Sequence, residues 1–174
     1  MKRRETDIET IVDYWHASDP DFLSSLGADL SKLTSRDATR QRLQSSLSNG
    51  PQRSRAYFVI ASGASILGYT NLNFRSADEA CAHFHVLKRT AKVKAAMYAI
   101  FPDMMRTFFS LFPLQRIEMQ TLPENRSIDR LLQHFGLKPR RAFLAQPDGF
   151  GRAGEFNIWE IHRGDVTIAH HVSE

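Results

Sequence analysis

The sequence predicts an α/β fold in one domain, and three observations lead to this prediction. Segments with apolar residues three or four positions apart alternate with segments rich in β-branched and aromatic residues, a pattern typical of mixed helical and strand structure. The chain has 174 residues, which is the usual length of one domain. Hydrophobic residues make up 42% and charged residues 24%, which is ordinary for a chain that folds around one core.

The first 50 residues are predicted to be helical. Apolar side chains recur at helical spacing over Asp7–His16, which predicts a first helix. Residues 18–21 are predicted to end this helix and to begin helical structure again, because Asp19 before Pro20 is a helix-start signal. A second long helix is predicted over Ser35–Leu47, and Asn49-Gly50-Pro51 is a turn by its composition.

After this turn the periodicity changes to that of strands. Ala56–Ala61 and Ile66–Phe74 are predicted to pair through a hairpin loop at residues 62–65. A third strand is predicted over Ala80–Leu87. Side chains alternate between the two faces of a strand. Cys81, His83, His85 and Leu87 therefore share one face, and Ala82, Phe84 and Val86 the other.

The second half of the chain continues the alternation. The predicted elements are a long helix at Ala91–Phe112, a strand at Arg116–Leu122, an amphipathic helix at Arg126–Phe135 that Gly136 stops, and an antiparallel pair of strands at Lys138–Ala145 and Glu155–Ile161. Pro102 must kink or split the long helix, because it cannot donate a backbone hydrogen bond. We expect the polar tail after His162 to be poorly packed.

Charge and cysteine content narrow the class of protein. There are 23 Lys and Arg against 19 Asp and Glu, so the net charge is +4, which favours a phosphate-bearing cofactor, an acidic substrate or RNA. Cys81 is the one cysteine, which excludes an intramolecular disulfide and a cysteine-rich zinc site. We expect a reduced, cytoplasmic location, with no secretory signal and no membrane, because no apolar run reaches the roughly 18 residues of a membrane span.

Two segments resemble the GNAT superfamily, the acetyltransferase fold related to the histone acetyltransferases. Residues 125–137, NRSIDRLLQHFGL, are similar to the family's helix that opens with Asn and ends in Gly-Phe, with Leu137 in place of Phe. The strand Ala80–Leu87, running into a basic loop and a long helix, resembles the family's acetyl-CoA-binding motif. The resemblance covers residues 57–161, although the family's first strand has no evident counterpart before Asp7.

The resemblance implies a fold and an activity. The fold is a mixed, mainly antiparallel sheet flanked by helices, of the acyl-CoA N-acyltransferase type. One domain over residues 1–174 would contain a helical acceptor-side region (1–50), the sheet and cofactor-binding core (56–161) and a tail (162–174). The implied activity is acetyl transfer from acetyl-CoA to a primary amine of a small molecule or peptide, without a metal. A homodimer is a further expectation. A non-catalytic acyl-CoA-binding or protein-interaction domain on the same fold is the alternative.

The family's pyrophosphate loop has Gly two positions before a final Gly or Ala, and this sequence departs from it. In the best register, Thr90–Ala95, Val93 replaces that Gly and Ala95 stands at the last position. Val93 is expected to crowd a bound phosphate, and Lys88, Arg89, Lys92 and Lys94 are expected to compensate with charge. The predicted cofactor-binding residues are Val86, Leu87, Lys88, Lys92, Val93, Lys94, Ala95, Asn125, Ser127 and Arg130.

Transfer to an amine requires a base for the amine and an acid for the departing thiolate. The region where relatives often carry a catalytic Glu holds His83 and His85 here, and histidine is a natural base near neutral pH. His83 is the favoured base, and Glu118, with Glu79 behind it, is the second choice. Many relatives have a Tyr acid where this chain has Leu132, so Tyr98 and Ser127 are the remaining hydroxyl candidates.

Two other interpretations of these residues are weaker. Cys81, His83 and His85 could be metal ligands, or Cys81 with a His a nucleophile pair. Their spacing of about 6–7 Å along one strand face argues against both. Nucleic-acid binding would use a basic face built from Arg3, Arg4, Arg40, Arg42, Arg53, Arg55, Arg140 and Arg141. The helical spacing of Phe108, Phe109 and Phe112 indicates core packing rather than base stacking, and no RNA-binding motif is present.

Overall fold

The structure, a computed structural model, describes residues 5–48, 54–63, 65–88, 90–147 and 151–168. Three helices precede the sheet: α1 (Glu5–His16), α2 (Pro20–Ser25) and α3 (Arg36–Ser48), with a short 3-10 helix at Leu30–Lys32. The strands are β1 (Arg55–Ser62), β2 (Ser65–Phe74), β3 (Glu79–Val86), β4 (Arg116–Thr121), β5 (Arg140–Leu144) and β6 (Gly154–His162). The later helices are α4 (Ala91–Leu111), α5 (Arg126–His134) and α6 (Asp165–Ile168).

The six strands form one sheet in the order β1-β2-β3-β4-β6-β5. Every neighbouring pair is antiparallel except β3 and β4, which confirms the mixed, mainly antiparallel sheet. The parallel pair is short: its Cα partners are Glu79 with Arg116, Ala80 with Ile117, and Cys81 with Glu118. Beyond these three pairs the two strands separate, so a gap opens in the middle of the sheet.

Each face of the sheet carries its own apolar cluster. On one face, side chains such as Leu72 and Trp159 pack against Phe108 of α4 and Leu132 of α5. On the other face, Tyr69 packs against the helices that precede the sheet. The alternation predicted for β3 agrees with this division, because Ala80 and Ala82 belong to the first cluster whereas His85 contacts Tyr69 and Trp15.

Pro102 lies inside α4 without splitting it. The helix runs unbroken from Ala91 to Leu111, and Phe101 and Met105 on either side of the proline are buried in the core. Packing of this apolar face therefore stabilises the helix despite the missing backbone donor. Phe108 and Phe109 are also buried, which confirms that the Phe residues of this helix are core residues.

The expectation of a poorly packed tail directly after His162 is wrong. The Arg163 side chain donates hydrogen bonds of 2.8 Å to the backbone oxygens of Leu114 and Phe112, and α6 follows. Val166 on α6 packs against the main cluster. The guanidinium thus joins the last helix to the end of α4, an interaction between residues about 50 positions apart that composition does not reveal.

Three sequence predictions involve residues outside the described ones: the turn at 49–51 lies wholly outside them, as do residue 64 of the hairpin loop and the last part of the tail. Elsewhere the predicted helices and strands agree with the structure to within a few residues. The 3-10 helix at Leu30–Lys32 and the short α6 were not predicted, because neither segment has a recognisable apolar periodicity. Among the described helices, none combines the length and apolarity that a membrane crossing requires.

Candidate active site

The gap between β3 and β4 leads into a cavity of about 320 Å³, which we call the cleft. Its outer part is lined by Lys88, Thr90, Lys94 and Tyr98 on one side and by Asn125, Ser127 and Ile128 on the other. Its inner part is lined by apolar side chains that include Ala82, Met97, Met119 and Leu131. The cleft is therefore cationic where it opens and apolar where it passes through the sheet.

A second cavity, of about 210 Å³, lies on the sheet face that carries the helices α1–α3, and we call it the aromatic cavity. Its walls include Trp15, Tyr57, Tyr69 and Phe156, together with Arg42, Arg55 and Asn71. Five residues line both cavities: Leu26, His83, His85, Gln120 and Phe156. The two cavities therefore meet at the imidazole rings of β3 and the amide of Gln120 on β4.

His83 lies at this junction. It is half-buried, and its Cα partner across the antiparallel ladder is Asn71 on β2. Its Nε2 atom is 3.6 Å from Cys81 Sγ, so the expectation that strand spacing would keep these two side chains apart is wrong. Cys81 itself is fully buried and lines neither cavity, so it does not offer an accessible nucleophile.

His85 lies in an aromatic cluster. Its ring stacks on Tyr69 at 4.5 Å between centroids and meets Trp15 edge-on at 5.1 Å. Burial, and secondarily the neighbouring His83, lowers the pKa of His85 to about 3. Trp15 Nε1 donates to the Tyr69 hydroxyl at 2.5 Å, which holds the stacked tyrosine in place. His85 is thus a neutral ring near pH 7, and His83 is the better candidate for the base.

Glu118 is buried and held by three neighbours. Arg75 and Arg140 form ion pairs with it at 3.0 and 3.7 Å, and Gln120 Nε2 donates a 3.0 Å hydrogen bond to Oε1. It does not line either cavity. Glu79 likewise pairs with Arg116 at 2.8 Å. These contacts favour a role for Glu118 in positioning Gln120, whose side chain lies at the junction.

Half of the predicted cofactor-binding residues line the cleft, and half do not. Val86, Lys88, Lys94, Asn125 and Ser127 line it. Leu87 packs with the apolar cluster under α1, whereas Lys92, Ala95 and Arg130 are exposed outside the lining. Arg89, which was expected to add charge, lies outside the described residues. Sequence spacing located the loop, but only the helix geometry decided which of its side chains turn inward.

Val93, which was expected to crowd a bound phosphate, does not line the cleft. Its side chain is buried with Ile60 and Met97. Its backbone N–H donates to Thr90 Oγ1 at 3.2 Å, so Thr90 caps the start of α4. An apolar side chain at this position therefore anchors the helix start to the sheet and leaves the cleft open.

A buried polar network that the sequence did not indicate fastens α5 beside the cleft. Asp129 accepts hydrogen bonds from Thr121 Oγ1 at 2.7 Å and from Asn157 Nδ2 at 2.8 Å. Trp159 Nε1 donates to the Thr121 hydroxyl at 2.9 Å. Because Thr121 and Asn157 are Cα partners on β4 and β6, the network ties the helix that carries Asn125 and Ser127 to two strands.

The lining of the cleft fits coenzyme A in its chemistry. The charged residues in its lining are Lys88 and Lys94, with no carboxylate among the described lining residues. They lie beside the capped start of α4, where the helix dipole and unpaired amides favour an anion such as a pyrophosphate. The apolar inner part suits the thinner pantetheine arm. Lys88, Lys94 and Asn125 would hold the nucleotide end, and Met97, Met119 and Leu131 the arm.

The alternatives are less well supported by the geometry. No three metal-ligating side chains come together in the part of the chain that the structure describes. The arginines considered for nucleic acid are dispersed: Arg40 pairs with Glu9, Arg140 with Glu118, and Arg42 and Arg55 line the aromatic cavity. Arg3, Arg4 and Arg53 lie outside the described residues.

Similar structures were found among solved proteins. The spermidine N-acetyltransferase of Vibrio cholerae, solved with CoA and spermine, is 13% identical with a TM-score of 0.71, and 96% of each chain is covered. RimL, a ribosomal L7/L12 α-N-protein acetyltransferase solved with coenzyme A, is 11% identical with a TM-score of 0.71, covering 92% of this chain and 90% of that one. RimJ of Mycobacterium smegmatis, solved with CoA-disulfide, is 18% identical with a TM-score of 0.67, covering 94% and 80%. At these identities the likeness shows the fold.

The family is shown by the sequence match. The family model of the acetyltransferase (GNAT) domain matches residues 2–138, which is most of the chain. No curated protein sequence matches significantly. The family match, the splayed parallel pair and the cationic cleft agree with one another. This chain belongs to the GNAT acetyltransferases, and it is an acyl-CoA-dependent N-acetyltransferase that transfers an acetyl group from acetyl-CoA to an amine.

Proposed function

We propose that the acceptor is a primary amine of a small molecule or a peptide, which enters through the aromatic cavity and meets the thioester beside His83. The observation that carries this proposal is the junction of the two cavities at His83, His85 and Gln120. A cofactor cleft on one side of a sheet gap and a separate cavity on the other place two substrates end to end, with their reacting groups at the gap.

His83 is the proposed base. Its ring lies at the junction, beside Asn71, whereas Glu118 is engaged by two arginines and lies outside both cavities. Acetyl-CoA supplies the acetyl thioester. As the amine nitrogen bonds to the acetyl carbon and the carbon–sulfur bond breaks, His83 accepts the proton that the nitrogen loses. Gln120, held by Glu118, orients groups at the same point.

The proposed source of the proton for the departing thiolate is Tyr98. Leu132, at the position where many relatives have a Tyr, is fully buried in the core. Tyr98 and Ser127 both line the cleft. The Tyr98 ring is held edge-on against His134 at 5.1 Å, which limits its movement, whereas Ser127 is exposed. The cytoplasmic location and the homodimer stay predictions of the sequence.

Two measurements test the proposed function. Calorimetric titration with acetyl-CoA and CoA reports binding in the cleft, and release of free thiol from acetyl-CoA across a panel of primary amines reports transfer. The spermidine and protein N-terminal acceptors named for two structural neighbours belong in that panel. Binding together with amine-dependent thiol release is expected. Binding without release for every amine would contradict the proposed acceptor class and favour a non-catalytic domain.

A further inference from the structure

We propose that the acceptor amine carries an anionic group, a carboxylate or a phosphate, which Arg42 and Arg55 bind in the aromatic cavity. The inference rests on the proposed function and names its substrate class. These two arginines are the charged residues in the cavity lining, and no carboxylate is present among the described lining residues. An amine with a second positive charge would meet like charge there, whereas an amine with a negative group would meet opposite charge.

The arginines of α3 divide into two groups. Arg36 and Arg40 point toward α1, where Asp13 and Glu9 pair with them at 2.5 Å. Arg42, two positions further on, lines the cavity instead, and its Nη2 donates to Thr34 Oγ1 at 3.1 Å. Among the described residues, no carboxylate lies within 4.0 Å of the Arg42 guanidinium. Within the described part of the chain, the cavity-lining arginine of this helix thus has guanidinium donors that no carboxylate engages.

Arg55 approaches the cavity from the start of β1. Its Nη1 donates to the Tyr57 hydroxyl at 3.1 Å, and its guanidinium carbon lies 6.0 Å from the Tyr57 ring centroid. In the described part of the chain, no carboxylate comes within 4.0 Å of it either. A half-buried cation without a counterion is unfavourable, and a planar guanidinium matches a carboxylate or phosphate with paired hydrogen bonds. Both arginines therefore suit an anionic group of a ligand.

The part of the cavity wall beside His83 suits the amine. Asn71 lines the cavity beside His83, and its Oδ1 atom is buried without a hydrogen-bond donor among the described residues. A buried acceptor of this kind is favourable only when a donor arrives, and an amine N–H supplies one. The cavity thus carries an acceptor atom where the amine must react and cations elsewhere on its wall.

The test compares acceptors with and without the anionic group. Phenylalanine is paired with phenylalaninamide, and phosphoethanolamine with ethanolamine, so that the two pairs distinguish a carboxylate from a phosphate; spermidine is the polycationic probe. Thiol release at pH 8 gives kcat/KM for each, expressed per concentration of unprotonated amine, because the anionic group also changes the pKa of the amine. In at least one pair, we expect the kcat/KM of the amine with the anionic group to exceed that of its partner by about ten- to a hundredfold, the size of a charge-assisted hydrogen bond. An equal or higher kcat/KM for the amines without an anionic group, or for spermidine, would overturn the inference.

Substitutions of the two arginines test whether they cause the preference for acceptors with an anionic group. Arg42→Gln and Arg55→Gln should each remove most of the preference, and Arg42→Lys should keep part of it. Arg141→Gln is the matched control, because Arg141 is exposed on β5 and lines neither cavity. A preference that survives both cavity variants would overturn the assignment. If only amines without an anionic group are acetylated, the inference is overturned but the acetyltransferase activity stands. If the protein does not bind acetyl-CoA, both the proposed function and this inference are contradicted.

Discussion

Cys81 and Glu118 are the last Cα partners of the parallel strands β3 and β4, and the gap in the sheet opens directly beyond them. Upstream of this pair, Arg116 joins the strands by bonding to Glu79 on β3 and to Glu160 on β6. Downstream, His83 on β3 and Gln120 on β4 line both cavities. The end of the parallel ladder thus places an imidazole ring and a side-chain amide at the point where the two cavities meet.

The first prediction concerns the base. His83→Gln should lower the transfer rate by about a hundredfold or more, the range of general base catalysis, and should remove the rise of rate with pH. Affinity for CoA should stay nearly unchanged, because His83 lies at the inner end of the cleft. Rates measured from pH 6 to 9 and calorimetry with CoA check both parts.

His85→Gln is the comparison for His83, since the two rings share one strand face. If both variants keep the parent pH profile, Glu118 becomes the leading base. If Glu118→Gln also keeps that profile, the reaction relies on amines that arrive already neutral, and the assignment of a base to this site is wrong.

The second prediction concerns the cationic mouth of the cleft. Lys94→Ala should weaken CoA binding, and more at low salt than at high salt, because part of the attraction between charges is screened. Lys92→Ala is the matched control: it removes the same charge two residues away but from outside the cleft lining. Calorimetry at two salt concentrations measures both. An equal or larger effect at Lys92 would contradict the orientation of these side chains.

The third prediction concerns Val93. Val93→Ala should destabilise the fold by about 1–2 kcal/mol through lost burial, and Val93→Gly by about 1 kcal/mol more through helix propensity. Neither should tighten CoA binding. Denaturant unfolding and CoA titration test the pair. Tighter binding by the Gly variant without lost stability would restore the interpretation that Val93 crowds the phosphate.

The fourth prediction concerns pH and His85. Its pKa is about 3 in the folded chain and near 6.5 when unfolded, so the unfolded state binds the additional proton between these values. The contribution of His85 to stability is therefore fully present above about pH 6.5 and is lost as the pH falls toward 3. His85→Phe should flatten the dependence of the unfolding midpoint on pH between 4 and 6.5, while His134→Phe, at an exposed position, should not. An unchanged slope in His85→Phe would contradict a ring that stays neutral in the folded chain.

The fifth prediction concerns the network under α5. Asp129→Ala leaves Asn157 Nδ2 without its acceptor and should cost about 2–4 kcal/mol of stability, because buried polar groups lose their partners. CoA binding should weaken with it, since α5 carries Asn125 and Ser127. Asp103→Ala, which removes an exposed carboxylate that pairs with Arg106 three residues away, should change stability by about 0.5 kcal/mol or less. Equal losses in both variants would refute the anchoring role.

Local sequence patterns were sufficient to predict most of the helices and strands of this fold. The period of Ile8, Ile11 and Trp15 predicted α1, the Asp19-Pro20 signal placed the start of α2, and Gly136 with φ +78° ends α5 as expected. Such features depend on residues within one or two turns of one another. The resemblance carried by residues 80–95 and 125–137 likewise pointed to segments that border the cleft, because its loop and helix start are continuous segments.

What the sequence by itself determined was the set of elements, their family and the strand face that carries His83 and His85. Only the tertiary structure decided which of those two rings lies among Tyr69 and Trp15, that Glu118 is held by Arg75 and Arg140, and that Val93 points into the core. It also brought Arg42 and Arg55 to one cavity and Asp129 to Asn157. The physical reason is that burial, pKa and ion pairing depend on neighbours in space, and these neighbours come from distant parts of the chain.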